Sequence, residues 1–364
     1  MRVVTRALCL GIESSCDETA AAVVDGGRMV LSSVVASQAA IHARYGGVVP
    51  EVAARHHLEA ILPVVDTALR EAATGWNDLH LVAVTRGPGL PAALLVGLAG
   101  AKVIAFARGL PLVGVNHLMG HIYAAVLSDR EPDRGIGWPA ADELPRPSVA
   151  LVVSGSHTDL CLLPDEGGVQ VLGTTLDDAA GEAFDKVARL LHLGYPGGPE
   201  LDRMAQRGNP LAVPFPRTTR SLPGPRGERG VGLVAGEFAF SFSGLKTSVA
   251  VYLEQHHQAD TADVAASFQQ VVVDTLVTRT LAAAERSGVR HVIVTGGVSA
   301  NSSLRSAMDR ACREQGYCLH VPPLRYCTDN AAMIAAAGWA HYQRSGADGW
   351  DLDVAPGLTL EMDG

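Results

Sequence analysis

Two histidines and a distant aspartate have the residue types and the spacing needed to bind a metal ion. His117 and His121 stand at positions i and i+4 of an apolar segment, and on a helix this spacing places both imidazoles on one face. Two ligands leave a coordination sphere incomplete. The candidate third ligand is Asp329, which stands just before an Ala-rich run. The same residue types also suit a core histidine and a helix cap, so the residues alone leave both interpretations open.

Position 118 argues against a zinc peptidase. The H-E-x-x-H motif of those enzymes needs a glutamate directly after the first histidine as general base, and this chain has Leu118. P-loop and Rossmann sites are also unsupported, because the chain has no G-x-x-x-x-G-K-[ST] segment and no G-x-G-x-x-G after a strand-like run. A nucleotide site in this protein must therefore be of another kind.

The composition indicates a globular protein of about two domains. The chain has 364 residues, of which 48% are hydrophobic and only 5% aromatic. Its 29 basic and 38 acidic side chains give a formal charge of −9, so any nucleic acid must be held by a local basic patch or by a partner. The six cysteines form no C-x-x-C pair, which favours reduced thiols in the cytoplasm.

The first half of the chain alternates short apolar runs with polar turns. We predict strands at 8–12, 20–24 and 29–35, a helix at about 50–69, a strand at 81–84, a helix at 92–108, a strand at 112–115 and then the histidine helix. The alternation of strand and helix predicts parallel pairing. His56 and His57 cannot share a helix face, and we interpret both as solvated or partner-facing. The apolar segment 90–115 contains Lys102 and Arg108, which favours a buried helix and a strand over a membrane span.

The second half repeats this architecture after an irregular, proline-containing stretch at 128–147, where we place the domain boundary. Strands are predicted at 149–153, 160–163, 292–294 and about 319–321. Capped or amphipathic helices are predicted from about 174, from about 200, at 262–287, up to about 315 and after Asp329, followed by a polar tail. The loop 214–230 contains Arg217, Arg220, Arg226 and Arg229, and is either an RNA-contacting segment or a mobile surface insertion.

Three Gly/Ser-rich tips follow predicted strands, at 13–19, 154–158 and 296–301. Such tips bring backbone N–H groups close to an anion, and a helix that begins just beyond one adds the positive end of its dipole. Each tip alone is weak support for a ligand. Three of them in two similar αβ domains indicate a nucleotide site.

Nine segments, in order along the chain, carry a family resemblance. They lie at 11–19, 45–51, 87–90, 117–121, 177–186, 195–199, 242–247, 296–301 and 327–330. Together they resemble the universal tRNA threonylcarbamoyladenosine transferase family in its bacterial TsaD form, from about residue 7 to 339. The resemblance implies an α/β fold of the actin, sugar kinase and Hsp70 (ASKHA) type. It also implies a first lobe at 7–128 plus 326–364, a linker at 129–147, a second lobe at 148–325 and a nucleotide cleft between the lobes.

The implied reaction transfers a threonylcarbamoyl group from threonylcarbamoyl-adenylate to N6 of adenosine 37 in tRNAs that read ANN codons, with release of AMP. The resemblance assigns His117, His121 and Asp329 to one divalent ion per subunit, expected to be Fe2+, or Zn2+ in purified protein. The positions that match the adenylate site are Val152, Val153, Ser154, Gly155, Ser156, Asp185, Gly198, Asp202 and Asn301. Asp17 and Glu18, on the first tip, are candidates for orienting or deprotonating the incoming amine, with turn and cap residues as the alternative interpretation.

The implied partners are tRNA, a smaller TsaB-type paralogue and a TsaE-type P-loop ATPase, in the cytoplasm and without a membrane. The chain departs from the family pattern at several positions. Ser156 replaces the second glycine of the usual S-G-G-H-T, and Asn116 stands where many members have another histidine. Arg86 and Pro91 flank the Gly-Pro-Gly turn, and the loop 214–230 is longer than usual. Two other functions remain open: a nucleotide-binding scaffold without catalysis, and an ATP-dependent kinase or carbamoyltransferase on the same fold.

Overall fold

The computed structural model describes residues 7–45, 47–129, 143–194, 196–217 and 238–363. The chain divides into two units, Met1–Leu144 with Pro322–Gly364, and Pro145–Val321. The second unit therefore ends a few residues before the lobe boundary predicted at 325, and most of the predicted linker lies outside the described residues. The Arg-rich loop also lies largely outside them. The predicted cleft between the lobes stays a prediction.

Eleven strands and ten helices make up the described part of the two units. The strands are β1 (Leu8–Glu13), β2 (Glu18–Asp25), β3 (Met29–Ser37), β4 (Leu79–Gly87), β5 (Leu112–Asn116), β6 (Ser128–Asp129), β7 (Ser148–Val153), β8 (Thr158–Leu163), β9 (Gln170–Thr174), β10 (His291–Thr295) and β11 (Cys318–His320). The helices are α1 (Ala39–His42), α2 (Pro50–Glu71), α3 (Pro91–Arg108), α4 (His117–Tyr123), α5 (Ala180–Leu190), α6 (Gly197–Ala205), α7 (Ser243–Gln255), α8 (Thr261–Ser287), α9 (Ser302–Gln315) and α10 (Ala331–Ser345).

The sheets of the two units share one strand order. The first sheet runs β5-β4-β1-β2-β3-β6 and the second runs β11-β10-β7-β8-β9. In each, the first three strands along the chain pair as antiparallel neighbours. The next strand, β4 or β10, pairs in parallel with the first strand of its sheet, and β5 or β11 pairs in parallel with that strand in turn. The predicted parallel pairing and the architectural likeness of the two halves are confirmed.

The two faces of strand β1 bury different helices. Leu10 and Ile12 belong to the core shared with α2 and α3, and because side chains alternate along a strand, Gly11 points to the opposite face. Helix α10 approaches there so closely that a Cβ on Gly11 would lie 2.1 Å from the Ala331 carbonyl oxygen. This approach places the segment just before α10, which contains Asp329, close to the end of β1.

The apolar segment predicted as a buried helix is only half buried. Helix α3 is followed by strand β5, as predicted, and among the described residues it is the one helix long and apolar enough to cross a membrane by length and composition. Its inner face packs in the first core. On its outer face Leu95, Val103 and Phe106 are exposed by 51%, 68% and 78%.

Several sequence predictions were wrong in detail. His57 is completely buried, because it lies on the inner face of α2, whereas its neighbour His56 is partly exposed. Helix α5 begins only at Ala180 and has no side-chain cap, because Asp177 instead accepts hydrogen bonds at the start of α7. Strand β9 was missed. The C-terminal tail is not simply polar: its buried side chains are Leu352, Leu358 and Leu360.

We predict that Gly11→Ala destabilises the first unit, because the new methyl group would overlap the backbone of α10. Overpacking of this kind costs about 1–3 kcal/mol or more, and chemical unfolding measures it as a lower midpoint. Gly244→Ala is the matched control, because a Cβ there meets nothing within 4 Å and a helical alanine adds about 0.5–1 kcal/mol. Equal midpoints for the two variants would contradict the close approach of α10 to β1.

Candidate functional site

Asn116 determines where the histidine helix begins. Its side-chain Oδ1 accepts hydrogen bonds from the N–H groups of Leu118 and Met119 at 2.9 and 3.4 Å, so α4 begins directly at the end of β5. Its Nδ2 donates to the Thr359 carbonyl at 3.0 Å. His117 is therefore the first residue of the helix, and His121 follows one turn later. The departure from the family pattern at position 116 is a helix cap in this chain.

Asp329 is held by a second cap. The Asn330 side chain accepts a hydrogen bond from Met333 N–H at 3.0 Å and donates to the Thr328 carbonyl at 2.8 Å, which fixes the turn before α10. Helices α4 and α10 also touch, because a Cβ on Gly120 would lie 2.7 Å from Ile334. The starts of two helices from distant parts of the sequence thus meet in the first unit.

The three predicted metal ligands lie together. His117 Nε2 and His121 Nε2 are 3.5 and 3.1 Å from the same oxygen, Asp329 Oδ1, and one ligand atom from each residue lies within 4.8 Å of the others. Around a tetrahedral ion with ligands at about 2.1 Å, ligand atoms stand roughly 3.4 Å apart. The two separations from Asp329 Oδ1 match this value, and a donor set of two imidazoles and one carboxylate suits a divalent transition-metal ion.

Glu13 orients His117, the first candidate ligand. This fully buried carboxylate ends strand β1, and its Oε2 lies 3.0 Å from His117 Nδ1. It also accepts a hydrogen bond from Thr85 Oγ1 at 2.6 Å and one from the Ser15 N–H group. A proton held on Nδ1 by Glu13 leaves Nε2 to face Asp329, which is how outer carboxylates usually orient metal-bound histidines.

Sequence reasoning missed the role of Glu13. The signal was available, because a carboxylate that ends an otherwise apolar strand must find a buried partner. The tip that follows β1 was interpreted as an anion-binding loop that carries Asp17 and Glu18 as candidates for the amine, and the carboxylate at its start was not assigned.

The charges around His117 favour a cation. Burial alone lowers the pKa of His117, but the neighbouring carboxylates of Asp329 and Glu13 raise it well above its usual value. Burial likewise raises the pKa of Asp329, and the two histidines outweigh that effect and hold it well below its usual value. The two carboxylates thus favour a positive charge between them. A divalent metal ion that displaced the imidazole proton would supply a larger positive charge at the same place.

Asp17 and Glu18 lie at the start of β2, beside this centre. Burial, followed by the charges of Asp17 and Asp329, raises the pKa of Glu18 to about 9. His57 supports the same turn: its Nδ1 lies 2.8 Å from Thr19 Oγ1 and its Nε2 lies 3.0 Å from the Cys16 carbonyl. The buried histidine therefore holds the backbone on both sides of the two candidate residues, whose catalytic role stays a prediction.

The predicted adenylate positions of the second unit form three local groups. Val152 and Val153 are buried at the end of β7, and Gly155 and Ser156 are exposed on the tip that follows. Among the residues that the structure describes, nothing accepts a hydrogen bond from the N–H groups of Gly155 and Ser156. The side chain that Ser156 adds is itself exposed, so the tip accommodates the departure from glycine.

The other two groups are held at helix starts. Asp185 accepts hydrogen bonds from the N–H groups of Gly197 and Gly198 at 2.8 and 3.2 Å, at the beginning of α6. Asp202 accepts two from Ser302, at the beginning of α9. Asn301 caps α9 and donates to Gln269 at 2.8 Å, a buried partner that sequence reasoning missed. Whether these groups bind one ligand stays a prediction.

Comparison with known proteins identifies the family. The family model described as TsaD, tRNA N6-adenosine threonylcarbamoyltransferase, matches residues 29–336. The chain is 50% identical to the tRNA N6-adenosine threonylcarbamoyltransferase of Symbiobacterium thermophilum over the whole of both chains, and 46% identical to that of Bacillus subtilis over 96% of this chain and 95% of the other. The chain belongs to the TsaD family. The resemblance stated from nine segments is confirmed, and with it the transferase class and the activity on tRNA.

Solved structures support the TsaD fold independently. HypF of T. kodakarensis is 16% identical with a TM-score of 0.56, over 94% of this chain and 48% of that chain. Component A of the (R)-2-hydroxyglutaryl-CoA dehydratase of Acidaminococcus fermentans is 13% identical with a TM-score of 0.52, over 93% and 98%. At such low identity the likeness shows the fold alone, and it confirms the predicted ASKHA type.

We predict that Glu13→Gln weakens divalent metal binding to this TsaD chain about 10- to 100-fold, the usual effect of losing an outer carboxylate. Titration of the apo-protein with Co2+, followed by its visible absorption, measures the affinity and the ligand geometry together. Glu18→Gln is the matched control, because that carboxylate ends the same tip but hydrogen-bonds Ser37. Unchanged Co2+ affinity in Glu13→Gln would show that Glu13 does not orient the ligand.

Proposed function

We propose that this protein transfers the threonylcarbamoyl group of threonylcarbamoyl-adenylate to N6 of adenosine 37 in tRNAs that read ANN codons, and releases AMP. The observation that carries the proposal is the convergence of His117, His121 and Asp329 in a chain of the TsaD family. A scaffold that only bound nucleotide would have no use for three ligands brought together from distant segments. No feature of the described residues favours a kinase instead.

The transfer reaction mainly requires that the reacting groups are oriented and that the charge developing during the transfer is stabilised. The donor is a mixed anhydride and already activated, so the protein must hold AMP as a leaving group and align the carbonyl with the amine. A bound divalent ion, expected to be Fe2+, or Zn2+ in purified protein, would act as a Lewis acid toward the oxygens of the donor. Glu13 and Asn116 keep His117 in position for that ion.

Asp17 and Glu18 would contact and orient the acceptor amine. With its pKa raised to about 9 by burial and by Asp17 and Asp329, Glu18 is protonated at neutral pH, so it can donate a hydrogen bond but not remove a proton. We therefore assign orientation of the amine to the Asp17 carboxylate, with Glu18 as a hydrogen-bond donor beside it. The N6 amine must lose one proton when it is acylated, and the departing phosphate of AMP can accept that proton.

The second unit would recognise the adenylate. The N–H groups of Gly155 and Ser156 suit a phosphate, as exposed backbone donors at strand ends generally do. The remaining predicted positions lie at the end of β7 (Val152 and Val153) and just beyond it (Ser154), within α5 (Asp185), in α6 (Gly198 and Asp202) and at the cap of α9 (Asn301). We propose that the N–H groups of Gly155 and Ser156 hold the phosphate and that the remaining positions hold the nucleoside.

An apolar stripe offers a surface for the proposed protein partner. This surface consists of exposed residues on helices α3 and α2. On α2 they are Leu58 and Leu62, and on α3, at helical spacing, they are Ala92, Leu95, Ala99, Val103 and Phe106. Patches of this kind mark interaction sites, and we propose the smaller TsaB-type paralogue as the occupant, on the basis of the family resemblance. On the same basis we propose that the protein also works with a TsaE-type ATPase and that it is located in the cytoplasm.

We predict that His117→Ala abolishes formation of the modified nucleoside, because two ligands cannot retain the ion. The assay combines the protein, its partners, threonylcarbamoyl-adenylate and undermodified tRNA, and detects the product by mass spectrometry. His56→Ala is the control, since that histidine is partly exposed on the outside of α2. Full activity of metal-depleted His117→Ala would refute the metal role, and ADP formation with a small acceptor would favour a kinase.

We also predict that AMP raises the thermal midpoint of the protein, by the free energy of binding to the folded state, and that Ser156→Asp removes most of this shift. The reason is repulsion between the new carboxylate and the phosphate at the exposed tip. Ser156→Asn has nearly the same size without the charge and should keep the shift. If both variants keep it, the phosphate binds elsewhere.

A further inference from the structure

An exposed aromatic ring and an exposed arginine stand side by side on the Tyr45 turn, which is the 3-10 turn Ala43–Tyr45 that follows α1. Tyr45 is 63% exposed, and Arg44 is exposed beside it. Within the described part of the chain, neither side chain makes a hydrogen bond, an ion pair or a ring contact. A single exposed aromatic residue is common on protein surfaces, so the place where this turn is anchored decides its meaning.

The Tyr45 turn is anchored to the two residues proposed to orient the acceptor amine. Ser37 Oγ donates a hydrogen bond to Glu18 Oε1 at 3.1 Å and accepts one from Ala39 N–H, at the start of α1, at 3.2 Å. The Gln38 N–H group donates to the Asp17 carbonyl at 3.0 Å. Helix α1 therefore begins beside Asp17 and Glu18, and the Tyr45 turn continues directly from its end.

A buried histidine supports the backbone on both sides of the turn. His42 is fully buried, and its Nε2 lies 3.2 Å from Gln38 Oε1. Its Nδ1 accepts a hydrogen bond from Val49 N–H at 3.3 Å, and its carbonyl accepts one from Gly47 N–H at 3.3 Å. The chain before and after the turn is thus held to one buried residue, which is itself tied to the segment that begins beside Asp17.

The surface around the turn is close to neutral, in a chain whose formal charge is −9. The sequence has no acidic residue from position 26 to position 50. Burial raises the pKa of Glu18 to about 9, so this side chain is uncharged at neutral pH. Two positive and two negative charges then remain on the turn and the segments beside it, namely those of Arg44, Arg55, Asp17 and Glu51. An RNA is therefore repelled less here than by the chain as a whole, and contacts other than charge must supply most of its affinity.

The position of the acceptor nucleotide determines what this turn meets. The argument rests on the proposed function, in which adenosine 37 reaches Asp17 and Glu18. An adenosine in an RNA loop leaves its stack to enter a protein site, so the bases beside it lose a stacking neighbour. Exposed aromatic rings and guanidinium planes are the protein groups that replace such a neighbour. A turn that continues from the anchor at Asp17 and Glu18 lies where those bases arrive.

We propose that Tyr45 stacks on a base next to adenosine 37 in the anticodon loop of the tRNA, and that Arg44 binds an adjoining phosphate. One ring and one guanidinium suit a single nucleotide, because stacking and phosphate contact act together there. They suit a protein partner less well. Tyr45 is the one large hydrophobic side chain exposed among the described residues from 36 to 49, whereas protein interfaces are built around a cluster of buried anchors.

The test measures binding of a fluorescent anticodon stem-loop RNA to the protein and its partners by anisotropy, over a range of salt concentrations. Tyr45→Ala should weaken binding about 5- to 150-fold, the usual effect of losing one stacked base, and should leave the slope of log affinity against log salt unchanged. Tyr45→Phe keeps the ring and should bind like the unsubstituted protein. Arg44→Gln should make the slope shallower by about one. Trp350→Ala, at another exposed aromatic residue of the first unit, should change neither value.

A second RNA tests whether the stacked base lies beside adenosine 37. In stem-loops that lack the base on one side or the other of this nucleotide, one of the two should make Tyr45→Ala without further effect, because both changes remove the same contact. Equal binding by Tyr45→Ala and Tyr45→Phe would overturn the inference. Equal losses in the two variants would also overturn it, because they would assign the contact to the hydroxyl group.

Kinetics separate this inference from the proposed function. Tyr45→Ala should raise KM for tRNA and leave kcat and thermal protection by AMP unchanged, whereas loss of a metal ligand lowers kcat. Normal transfer by Tyr45→Ala with an unchanged KM would overturn the inference alone. If the unsubstituted protein forms no modified nucleoside while binding of the stem-loop still depends on Tyr45, the proposed function fails and the RNA contact stands. Loss of partner binding in Tyr45→Ala, with normal RNA binding, would instead assign the turn to a protein interface.

Discussion

Two carboxylates, the fully buried Glu13 and the partly buried Asp329, flank His117 and need a positive charge between them, and this requirement organises the candidate site of the first unit. Glu13 and Asp329 both contact His117, at 3.0 Å and 3.5 Å, and neither can stay ionised in the interior without compensation. A protonated imidazole or a divalent cation can supply that charge. The choice between them couples metal binding to proton release. These charged side chains are held close together by the helix caps at Asn116 and Asn330 and by the close contact at Gly11.

In both units the candidate site residues lie at the ends of strands that belong to the shared part of the strand order. In the first, Glu13 ends β1 and His117 follows β5. In the second, Ser154 follows β7, and Gly296 follows β10 with a Cβ position only 2.4 Å from the Val153 carbonyl. Residues at the carboxyl ends of neighbouring parallel strands lie at one edge of a sheet, which is where ligands of open α/β sheets usually bind. The same topology thus places a candidate metal site in one unit and backbone donors in the other.

Buried polar groups explain most of what sequence reasoning missed. Glu13, His57 and Gln269 each lie in segments with an apolar pattern, and each holds a neighbouring functional loop through its side chain. Their local sequence is compatible with a surface position, as the interpretation of His57 shows. Only the packing partner reveals that such a residue is inside, because a side chain of this kind is stable there when its hydrogen bonds are made by distant residues.

The sequence alone was sufficient for the secondary structure of long periodic segments, for parallel pairing and for the family, because hydrophobic period and local motifs are properties of short stretches. It also named His117, His121 and Asp329, but left a core histidine and a helix cap as an equal interpretation. Only tertiary structure shows that these three side chains lie together, since the separation of side chains from distant segments depends on how α4 and α10 pack against β1 and on each other. The hydrogen bonds that join Asp17 and Glu18 to the start of α1 likewise arise only from the pairing of β2 with β3.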